Sequence, residues 1–254
     1  MSQTQIGAQM YTLRQHLQTP QEIAHTCRRV RQLGYEAIQV SSFGPIETAE
    51  LAKILNSEGL ICASTHVSLD LLKDVNQCVE YHEALGCRLP AIGGYRVQEH
   101  TRANYEAFAA DFSHTAGVLA EKGLRIGYHN HSRELARTED GPRILDILIE
   151  NTDHSVWFEI DTYWIAFAGG DPAAWIEKVA DRAPCIHVKD MLVTTDQQPQ
   201  MCEVGQGNLN WPRIIESSRR AQVQWYLVER DHGDLDPFES LRISLEGLRG
   251  MGLG

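Results

Sequence analysis

The sequence has little positive charge and no long hydrophobic run. Its 254 residues include 23 Lys and Arg against 34 Asp and Glu, which gives a formal net charge of -11. Non-specific binding to nucleic acid needs a basic surface, so we expect no nucleic-acid partner. No run reaches the roughly 18 apolar residues of a membrane span, and the first residues lack the basic and apolar regions of a signal peptide. We therefore expect no membrane association and a cytoplasmic location.

The sequence also lacks any regular spacing of its cysteines. Disulfide frameworks belong mainly to short secreted chains, and cysteine-based zinc sites need closely spaced pairs of ligands. Most of the cysteines lie among apolar neighbours, so we expect buried, reduced thiols. The six cysteines are Cys27, Cys62, Cys78, Cys87, Cys185 and Cys202.

What the sequence does contain is a repeated unit: a short apolar run, a polar loop and an amphipathic segment. Eight such units, with no Pro/Ser-rich linker between them, predict an α/β fold in which residues 1–254 form a single (β/α)8 barrel. The predicted strands are residues 6–10, 37–40, 60–65, 89–92, 124–128, 156–160, 185–188 and 223–228. The predicted helices are residues 21–33, 47–58, 71–85, 102–122, 142–151, 172–180, 211–220 and 237–249. An open doubly wound sheet usually carries a Gly-rich turn after its first strand, and residues 9–12 contain no glycine.

The last four apolar runs each lead to a potential metal ligand. Asp161, His187 and Glu229 directly follow the sixth, seventh and eighth runs, and Glu134 comes shortly after the fifth. The carboxyl ends of barrel strands share one face, so these side chains are expected to converge. Three carboxylates and one imidazole form a mostly oxygen site. Such a site suits a hard divalent cation better than a zinc ion of the kind that thiolates bind. We therefore expect one divalent metal ion, with Mn²⁺, Mg²⁺ or Co²⁺ preferred.

The sequence does not determine which residue after the fifth run is the metal ligand. It continues as Gly127-Tyr128-His129-Asn130-His131-Ser132-Arg133-Glu134, which offers two imidazoles and one carboxylate. His129 and His131 alternate, so both face the same side if the strand extends that far, and Glu134 then lies beyond the strand. Any of the three could bind the metal. We favour Glu134 as the ligand and a histidine as a catalytic or positioning group.

Other polar or aromatic residues near the strand ends are candidates for substrate contacts. His66 follows the third run and could bond a substrate hydroxyl, Trp164 could lie against a sugar ring, and Gln9 lies near the end of the first run. Lys189 could supply positive charge for a developing enolate or for a phosphate. Asp190 could orient His187 or Lys189 from outside the ligand set.

The residues at these strand ends carry a resemblance that covers the chain from end to end. The chain resembles the sugar phosphate isomerase/epimerase group of xylose-isomerase-like TIM barrels, and it is similar to inosose dehydratases and, more distantly, to apurinic endonucleases. The matching motifs are Gly7-Ala8-Gln9-Met10-Tyr11-Thr12-Leu13-Arg14, Ser64-Thr65-His66-Val67, Tyr128-His129-Asn130-His131 with Glu134, Asp161-Thr162-Tyr163-Trp164, Ala168-Gly169-Gly170-Asp171-Pro172, His187-Val188-Lys189-Asp190, Val204-Gly205-Gln206-Gly207 and Val228-Glu229.

The resemblance implies one xylose-isomerase-like TIM barrel domain over residues 1–254, with a divalent metal at Glu134, Asp161, His187 and Glu229. Two departures stand out. Characterised ketose epimerases of this superfamily carry a Glu inside the fifth strand, where this chain reads Gly127-Tyr128-His129. Many relatives also have an acidic residue in the place of Gln206.

The function that we predict is that of a metal-dependent isomerase or epimerase acting on a small carbohydrate. It would abstract a proton next to the sugar carbonyl and proceed through an enediolate. Glu229 is one candidate for the acid/base group, His129 or His131 is the other, and Lys189 could steady the negative charge. The protein could form a homo-oligomer.

Two other functions stay open at this level. A lyase or dehydratase acting on a keto-inositol or a 3-keto-glycoside would form the same enolate and then expel a leaving group. The His129-Asn130-His131 stretch favours it slightly, because an imidazole acid could protonate the departing oxygen. A non-catalytic sugar-binding barrel is the alternative from a different class, and the potential ligands at the strand ends speak against it.

Overall fold

A computed structural model describes residues 5–254 of the chain, and its centre is a closed parallel barrel. The strands are β1 (Gln5–Gln9), β2 (Ala37–Val40), β3 (Ile61–His66), β4 (Pro90–Ile92), β5 (Gly127–His129), β6 (Trp157–Asp161), β7 (Cys185–Val188), β8 (Asp190–Val193), β9 (Pro199–Cys202) and β10 (Trp225–Val228). Strands β8 and β9 form a separate antiparallel hairpin, and the other eight close the barrel in the order β1-β10-β7-β6-β5-β4-β3-β2. This arrangement confirms the predicted (β/α)8 fold.

The helices surround the barrel, and most begin at a residue that can cap them. They are α1 (Pro20–Leu33), α2 (Thr48–Glu58), α3 (Leu69–Lys73), α4 (Val75–Ala84), α5 (Arg102–Ala120), α6 (Ile144–Asn151), α7 (Thr162–Phe167), α8 (Pro172–Lys178), α9 (Trp211–Arg220) and α10 (Pro237–Gly250). The helix predicted over 71–85 is divided at Asp74. Its side chain accepts a hydrogen bond from Gln77 N at 3.1 Å and so starts α4 anew.

The interior of the barrel is layered, with an apolar floor below a polar layer. Alternate residues of a strand face the same side, so each interior residue has its counterpart two positions later. Four floor residues, Ala37, Trp157, Cys185 and Leu227, are followed at that spacing by Gln39, Glu159, His187 and Glu229. Gly127 makes room for the indole of Trp157, because a Cβ at Gly127 would lie 2.2 Å from Trp157 Cε2. The apolar floor fills the amino end of the barrel interior, and the polar side chains therefore lie at its carboxyl end.

The β8–β9 hairpin lies between the seventh predicted strand and the helix after it, where we predicted neither a strand nor a helix. It leads to the turn at Gly205, whose N–H donates to Asp190 Oδ2 at 2.9 Å. The N–H of Gly207 and the indole N–H of Trp211 donate to the same oxygen at 3.1 Å and 2.6 Å. The carboxylate of Asp190 therefore organises this turn. We had expected it to orient His187 or Lys189 instead.

The structure bears on two further predictions from composition. All six cysteines are buried and free, as their apolar neighbours indicated. Within residues 5–254, no helix has both the length and the hydrophobicity that a bilayer crossing needs.

Candidate metal centre and active site

Four buried side chains meet at the carboxyl end of the barrel: His129 from β5, Asp161 from β6, His187 from β7 and Glu229 directly after β10. Each offers one nitrogen or oxygen atom, and these atoms all lie within 4.8 Å of one another. Three of the four predicted metal ligands, Asp161, His187 and Glu229, are thus brought together. We call these four residues the metal group.

The hydrogen bonds of His187 determine which of its nitrogens carries a proton. Its Nε2 lies 2.7 Å from Gln39 Oε1 and 3.1 Å from Glu159 Oε2, and both of these oxygens are acceptors. Nε2 must therefore be the donor. The other nitrogen, Nδ1, faces Glu229 Oε2 at 2.9 Å and Asp161 Oδ2 at 3.6 Å.

This arrangement fits a divalent cation. His187 Nδ1, Asp161 Oδ2 and Glu229 Oε2 are buried and have no hydrogen-bond partner of suitable geometry among residues 5–254. A nitrogen and two carboxylate oxygens at such distances attract positive charge, and a divalent cation would add to the charge that Lys189 already supplies. One imidazole nitrogen and two carboxylate oxygens are also a common donor set for divalent metals.

The charges within the site shift the pKa of its members in opposite directions. Burial alone would lower the pKa of His187, but the carboxylates of Glu159 and Glu229 outweigh it and raise that pKa well above its usual value. Burial alone would raise the pKa of Glu159, but the neighbouring charges of His187 and His66 lower it to about 2. The pKa of Glu229 is likewise lowered, against its burial, by Lys189 and His187. Glu159 and Glu229 are therefore ionised at neutral pH.

The two histidines of the fifth unit are neutral. His129 is the last residue of β5; burial, followed by the charge of His187, holds its pKa well below the usual range. His131 lies beyond the strand, and burial lowers its pKa to about 4. The two rings are 4.8 Å apart between centroids, and Trp164 lies 5.6 Å from the His131 ring. Both imidazoles are therefore in their uncharged form at neutral pH.

Glu134 is not brought into the metal group, contrary to our expectation. The chain leaves β5 in a 3₁₀ turn over Ser132–Leu135, and Glu134 turns back as the third residue of a capping box. Its Oε2 accepts from His131 N at 2.8 Å, and its Oε1 accepts from the Tyr128 hydroxyl at 2.9 Å. The guanidinium of Arg133 also donates to Oε1 at 2.9 Å. His129 thus takes the place in the group that we gave to Glu134.

Lys189 is buried among three carboxylates. Its Nζ lies 3.0 Å from Asp161 Oδ2 and 2.5 Å from Glu229 Oε2, in ion pairs outside hydrogen-bond geometry. It hydrogen-bonds both oxygens of Asp231 at 3.0 Å. Burial opposes the charge on Lys189, but Asp161 and Glu229 outweigh it and raise the pKa of the ammonium. Lys189 therefore acts through its fixed positive charge.

Our sequence reasoning missed two carboxylates of this site, Glu159 and Asp231. Glu159 lies two residues before Asp161 and shares its face of β6, and Asp231 lies two residues after Glu229 in the chain that follows β10. For Glu159 a signal was present, because it is the one charged residue in the apolar run over residues 156–160. Burial and the charge of Glu229 raise the pKa of Asp231 to about 6.

A cavity of about 490 Å³ opens above the metal group. His129, His131 and Glu229 form part of its wall, together with two of the predicted substrate contacts, His66 and Trp164. Gln9, the third predicted contact, is fully buried instead. Its Nε2 donates to Gln39 Oε1 at 2.6 Å, and its Oε1 accepts from Tyr11 N at 2.9 Å. Gln9 thus supports the polar layer from below the cavity.

Solved structures of similar fold include sugar-converting proteins. A sugar phosphate isomerase/epimerase from Parabacteroides distasonis superposes with a TM-score of 0.80 at 23% identity, covering 98% of this chain and 94% of that one. An L-ribulose 3-epimerase superposes with a TM-score of 0.73 at 18% identity, covering 98% and 94%. At these identities the likeness concerns the fold.

A sequence relative and a family model complete the comparison. An inosose dehydratase from Geobacillus kaustophilus is 23% identical over 185 residues, which are 63% of this chain and 59% of that protein. The chain thus spans less than two thirds of that relative's length. The model of the xylose isomerase-like TIM barrel family matches residues 27–251. The match takes in the whole metal group, and the chain belongs to the xylose isomerase-like TIM barrel family.

Proposed function

We propose that the protein is a divalent-metal-dependent sugar isomerase or epimerase that moves a proton next to a carbonyl through an enediolate. The observation that carries the proposal is a set of three buried polar atoms beneath the cavity that have no hydrogen-bond partner within residues 5–254. His187 Nδ1, Asp161 Oδ2 and Glu229 Oε2 converge there with no hydrogen-bond partner of suitable geometry in the described part of the chain. A small carbohydrate fits the size and polarity of a cavity of about 490 Å³.

The cation would be held by His129, Asp161, His187 and Glu229. Two imidazoles and two carboxylates suit a transition ion such as Mn²⁺ or Co²⁺ better than Mg²⁺, which prefers oxygen ligands alone. When bound, such an ion supplies a Lewis acid that polarises the sugar carbonyl and stabilises the enediolate.

The proton would be moved by Glu229 and His131, which both line the cavity. Glu229 is kept in its ionised form by Lys189 and His187, which is the form that a base needs. His131 is kept in its neutral form by its burial. General acid/base transfer of this kind contributes about 10²–10⁴-fold to a rate. His129 lies deeper and serves as ligand in this proposal, although we had also considered it as a base.

Binding and charge stabilisation would fall to the remaining side chains. The Trp164 indole and the His66 imidazole lie on the cavity wall, where a sugar can pack on the first and hydrogen-bond to the second. Lys189 lies directly below, and its fixed charge offsets the negative charge that develops on the substrate. A cytoplasmic location belongs to the same proposal.

A dehydratase acting on a keto-inositol or a 3-keto-glycoside is the second candidate. It is supported by the His131 ring on the cavity wall, whose Nδ1 has no hydrogen-bond partner within residues 5–254. An imidazole in that place could take up the α-proton of the substrate and then pass it to the departing hydroxyl, which leaves as water. The similarity to an inosose dehydratase points in the same direction.

A screen of keto-sugars in D₂O with Mn²⁺, read by NMR and mass spectrometry, tests both candidates. Exchange of an α-proton with an epimeric or isomeric product supports the isomerase. Exchange followed by loss of water supports the dehydratase. The Glu229→Gln variant is the control, because it should abolish exchange. A protein that binds no divalent metal by elemental analysis, or that exchanges no α-proton in any keto-sugar, would refute both.

A further inference from the structure

Glu159 is a buried carboxylate that the proposed chemistry does not use. It lies in β6 at 0% exposure, next to His129 of β5 in the strand register. Its Oε2 is 2.6 Å from His66 Nε2 and 3.1 Å from His187 Nε2. Its Oε1 accepts from the side-chain amide of Gln39 at 2.8 Å. An ionised carboxylate without a function is unusual at such depth, because it loses its hydration.

Three histidines around one carboxylate can also hold a metal, but the hydrogen bonds exclude that use here. Gln9 Oε1 accepts from Tyr11 N, so the Gln9 amide turns its donor toward His66 Nδ1 at 3.3 Å. His66 Nδ1 is then the acceptor, and the proton of this ring is on Nε2, which points at Glu159. Both His66 and His187 therefore present an N–H to Glu159 and no lone pair. Glu159 is an acceptor of hydrogen bonds at the centre of this network.

The contact between Glu159 and His187 Nε2 determines which atom of the His187 ring faces the metal group. With its proton fixed on Nε2, the lone pair of Nδ1 must face Asp161 and Glu229. The same carboxylate oxygen lies 3.6 Å from His129 Nδ1, while His129 Nε2 faces Asp161 Oδ2 at 3.9 Å. One negative charge thus favours, on both rings, the tautomer whose free nitrogen is directed at the metal group.

We propose that Glu159 is a positioning residue of the metal centre, which fixes the tautomer and orientation of His187 and His129. The proposal rests on the proposed metal-dependent function. Carboxylates that accept the second N–H of a ligating histidine raise its basicity, and their loss weakens metal binding by about 10–100-fold.

The first test is Mn²⁺ affinity, measured by competition with a chelator. Glu159→Gln keeps the size of the side chain but removes its charge and one acceptor, so the Kd should rise about 10–100-fold. Glu159→Asp keeps the charge and should recover part of the affinity. Ser64→Ala is the matched control: it removes the hydroxyl that Gln39 bonds at 3.1 Å in the same layer and touches none of the histidines. Its Kd should stay within about threefold of the parent value, since Glu159 keeps its charge and its positions beside His187 and His129.

The second test reads the tautomers directly, from two-bond ¹H–¹⁵N spectra of histidine-labelled protein with Zn²⁺ as a diamagnetic ion. In the parent protein His187 should carry its proton on Nε2, and that N–H signal should move in Glu159→Gln. His82 lies in another hydrogen-bond group, with Thr65 and Cys78, and its signals should not change.

Equal Mn²⁺ affinity and unchanged His187 signals in Glu159→Gln would overturn the proposal. If that variant does not fold, Glu159→Asp carries the same two measurements. If the parent protein binds no metal, the proposed function fails, and the spectra of the metal-free protein still decide the positioning role. A proton on Nδ1 of His187 in place of Nε2 would then reject it.

Discussion

Nδ1 of His187 lies 2.9 Å from Oε2 of Glu229, yet neither atom has a hydrogen-bond partner of suitable geometry within residues 5–254. A divalent cation between them would satisfy both atoms. Mn²⁺ at a hundred times its Kd should therefore stabilise the fold by about 2.7 kcal/mol, which corresponds to roughly 5–10 °C in Tm for a chain of this size.

His187→Ala should lose this shift when Tm is followed by differential scanning fluorimetry with and without Mn²⁺. His25→Ala, on the exposed face of α1, is the control and should keep it. An equal shift in His187→Ala and in the parent protein would place the ion elsewhere.

The fifth-strand ligand can be identified by a pair of variants. His129 belongs to the metal group, whereas both oxygens of Glu134 are engaged by Tyr128, Arg133 and the backbone of His131. His129→Gln should weaken Mn²⁺ binding by at least about tenfold, since it removes one of the four proposed ligands, whose ring lies beside Glu159. Glu134→Gln should change it by no more than a few-fold. The reverse order, measured by isothermal titration calorimetry, would restore Glu134 as ligand.

Lys189 should be among the most sensitive residues for stability. Lys189→Met leaves Asp161, Glu229 and Asp231 without their buried cation, and breaking a buried ion pair in this way costs about 3–5 kcal/mol. Adding Asp231→Asn should recover part of the loss, because it removes one of the unpaired charges. Urea unfolding measures both effects. A loss below about 1 kcal/mol, the usual value of a surface ion pair, would contradict a buried ammonium.

The stability of the protein should depend on pH through His82, which lies outside the metal group. Its Nδ1 donates to Cys78 O at 2.7 Å, so its Nε2 accepts from the Thr65 hydroxyl at 2.8 Å. Burial lowers the pKa of this imidazole below its ordinary value of about 6.5. The folded state therefore favours the neutral ring, and this contribution is complete above about pH 6.5 and declines as the pH falls below it.

The comparison of pH 7.5 with pH 5 isolates this group. The parent protein should lose up to about 2 kcal/mol more over that interval than His82→Gln, since each pH unit below the unfolded pKa costs at most about 1.4 kcal/mol. Chemical unfolding at the two pH values provides the measurement. Identical losses in both proteins would show that His82 is protonated without penalty.

Two glycines should respond in opposite ways to alanine. At Gly127 the new Cβ would lie 2.2 Å from the Trp157 ring in the barrel floor, so Gly127→Ala should cost about 1–3 kcal/mol or more. Gly117 lies within α5 with no neighbour within 4 Å of an added Cβ, so Gly117→Ala should stabilise by about 0.5–1 kcal/mol. Thermal unfolding measures both. Equal effects would mean that the Trp157 packing is not as tight as described.

Much of this architecture could be predicted from periodicity. The apolar runs identify the eight barrel strands, because strands that are buried on both faces read as nearly continuous apolar stretches. The same logic places Asp161, His187 and Glu229 at one end of the barrel. The β8–β9 hairpin was missed because each of its strands has 4 residues and neither alternates between apolar and polar positions, with Val193 exposed and Pro199 at the start of β9.

The errors at the site arise where local geometry overrides spacing. Glu134 has the right chemistry, but the 3₁₀ turn after His131 directs its carboxylate back to the backbone, which counting residues does not reveal. Glu159 was read as part of a core strand, since a carboxylate beneath the ligands needs partners from β2, β3 and β7 to be stable there. Those partners are distant in sequence and only the closed barrel assembles them.

The apolar floor beneath the polar layer also makes the site a chamber with one entrance. Trp157, Leu227 and Cys185 fill the barrel at its amino end, so within residues 5–254 the cavity mouth is the route by which solvent reaches the metal group. In the proposed reaction, a proton taken from a bound sugar by Glu229 would exchange with D₂O through that mouth. The share of deuterium in the product should then rise with the time for which the mouth is open between removal and return of the proton.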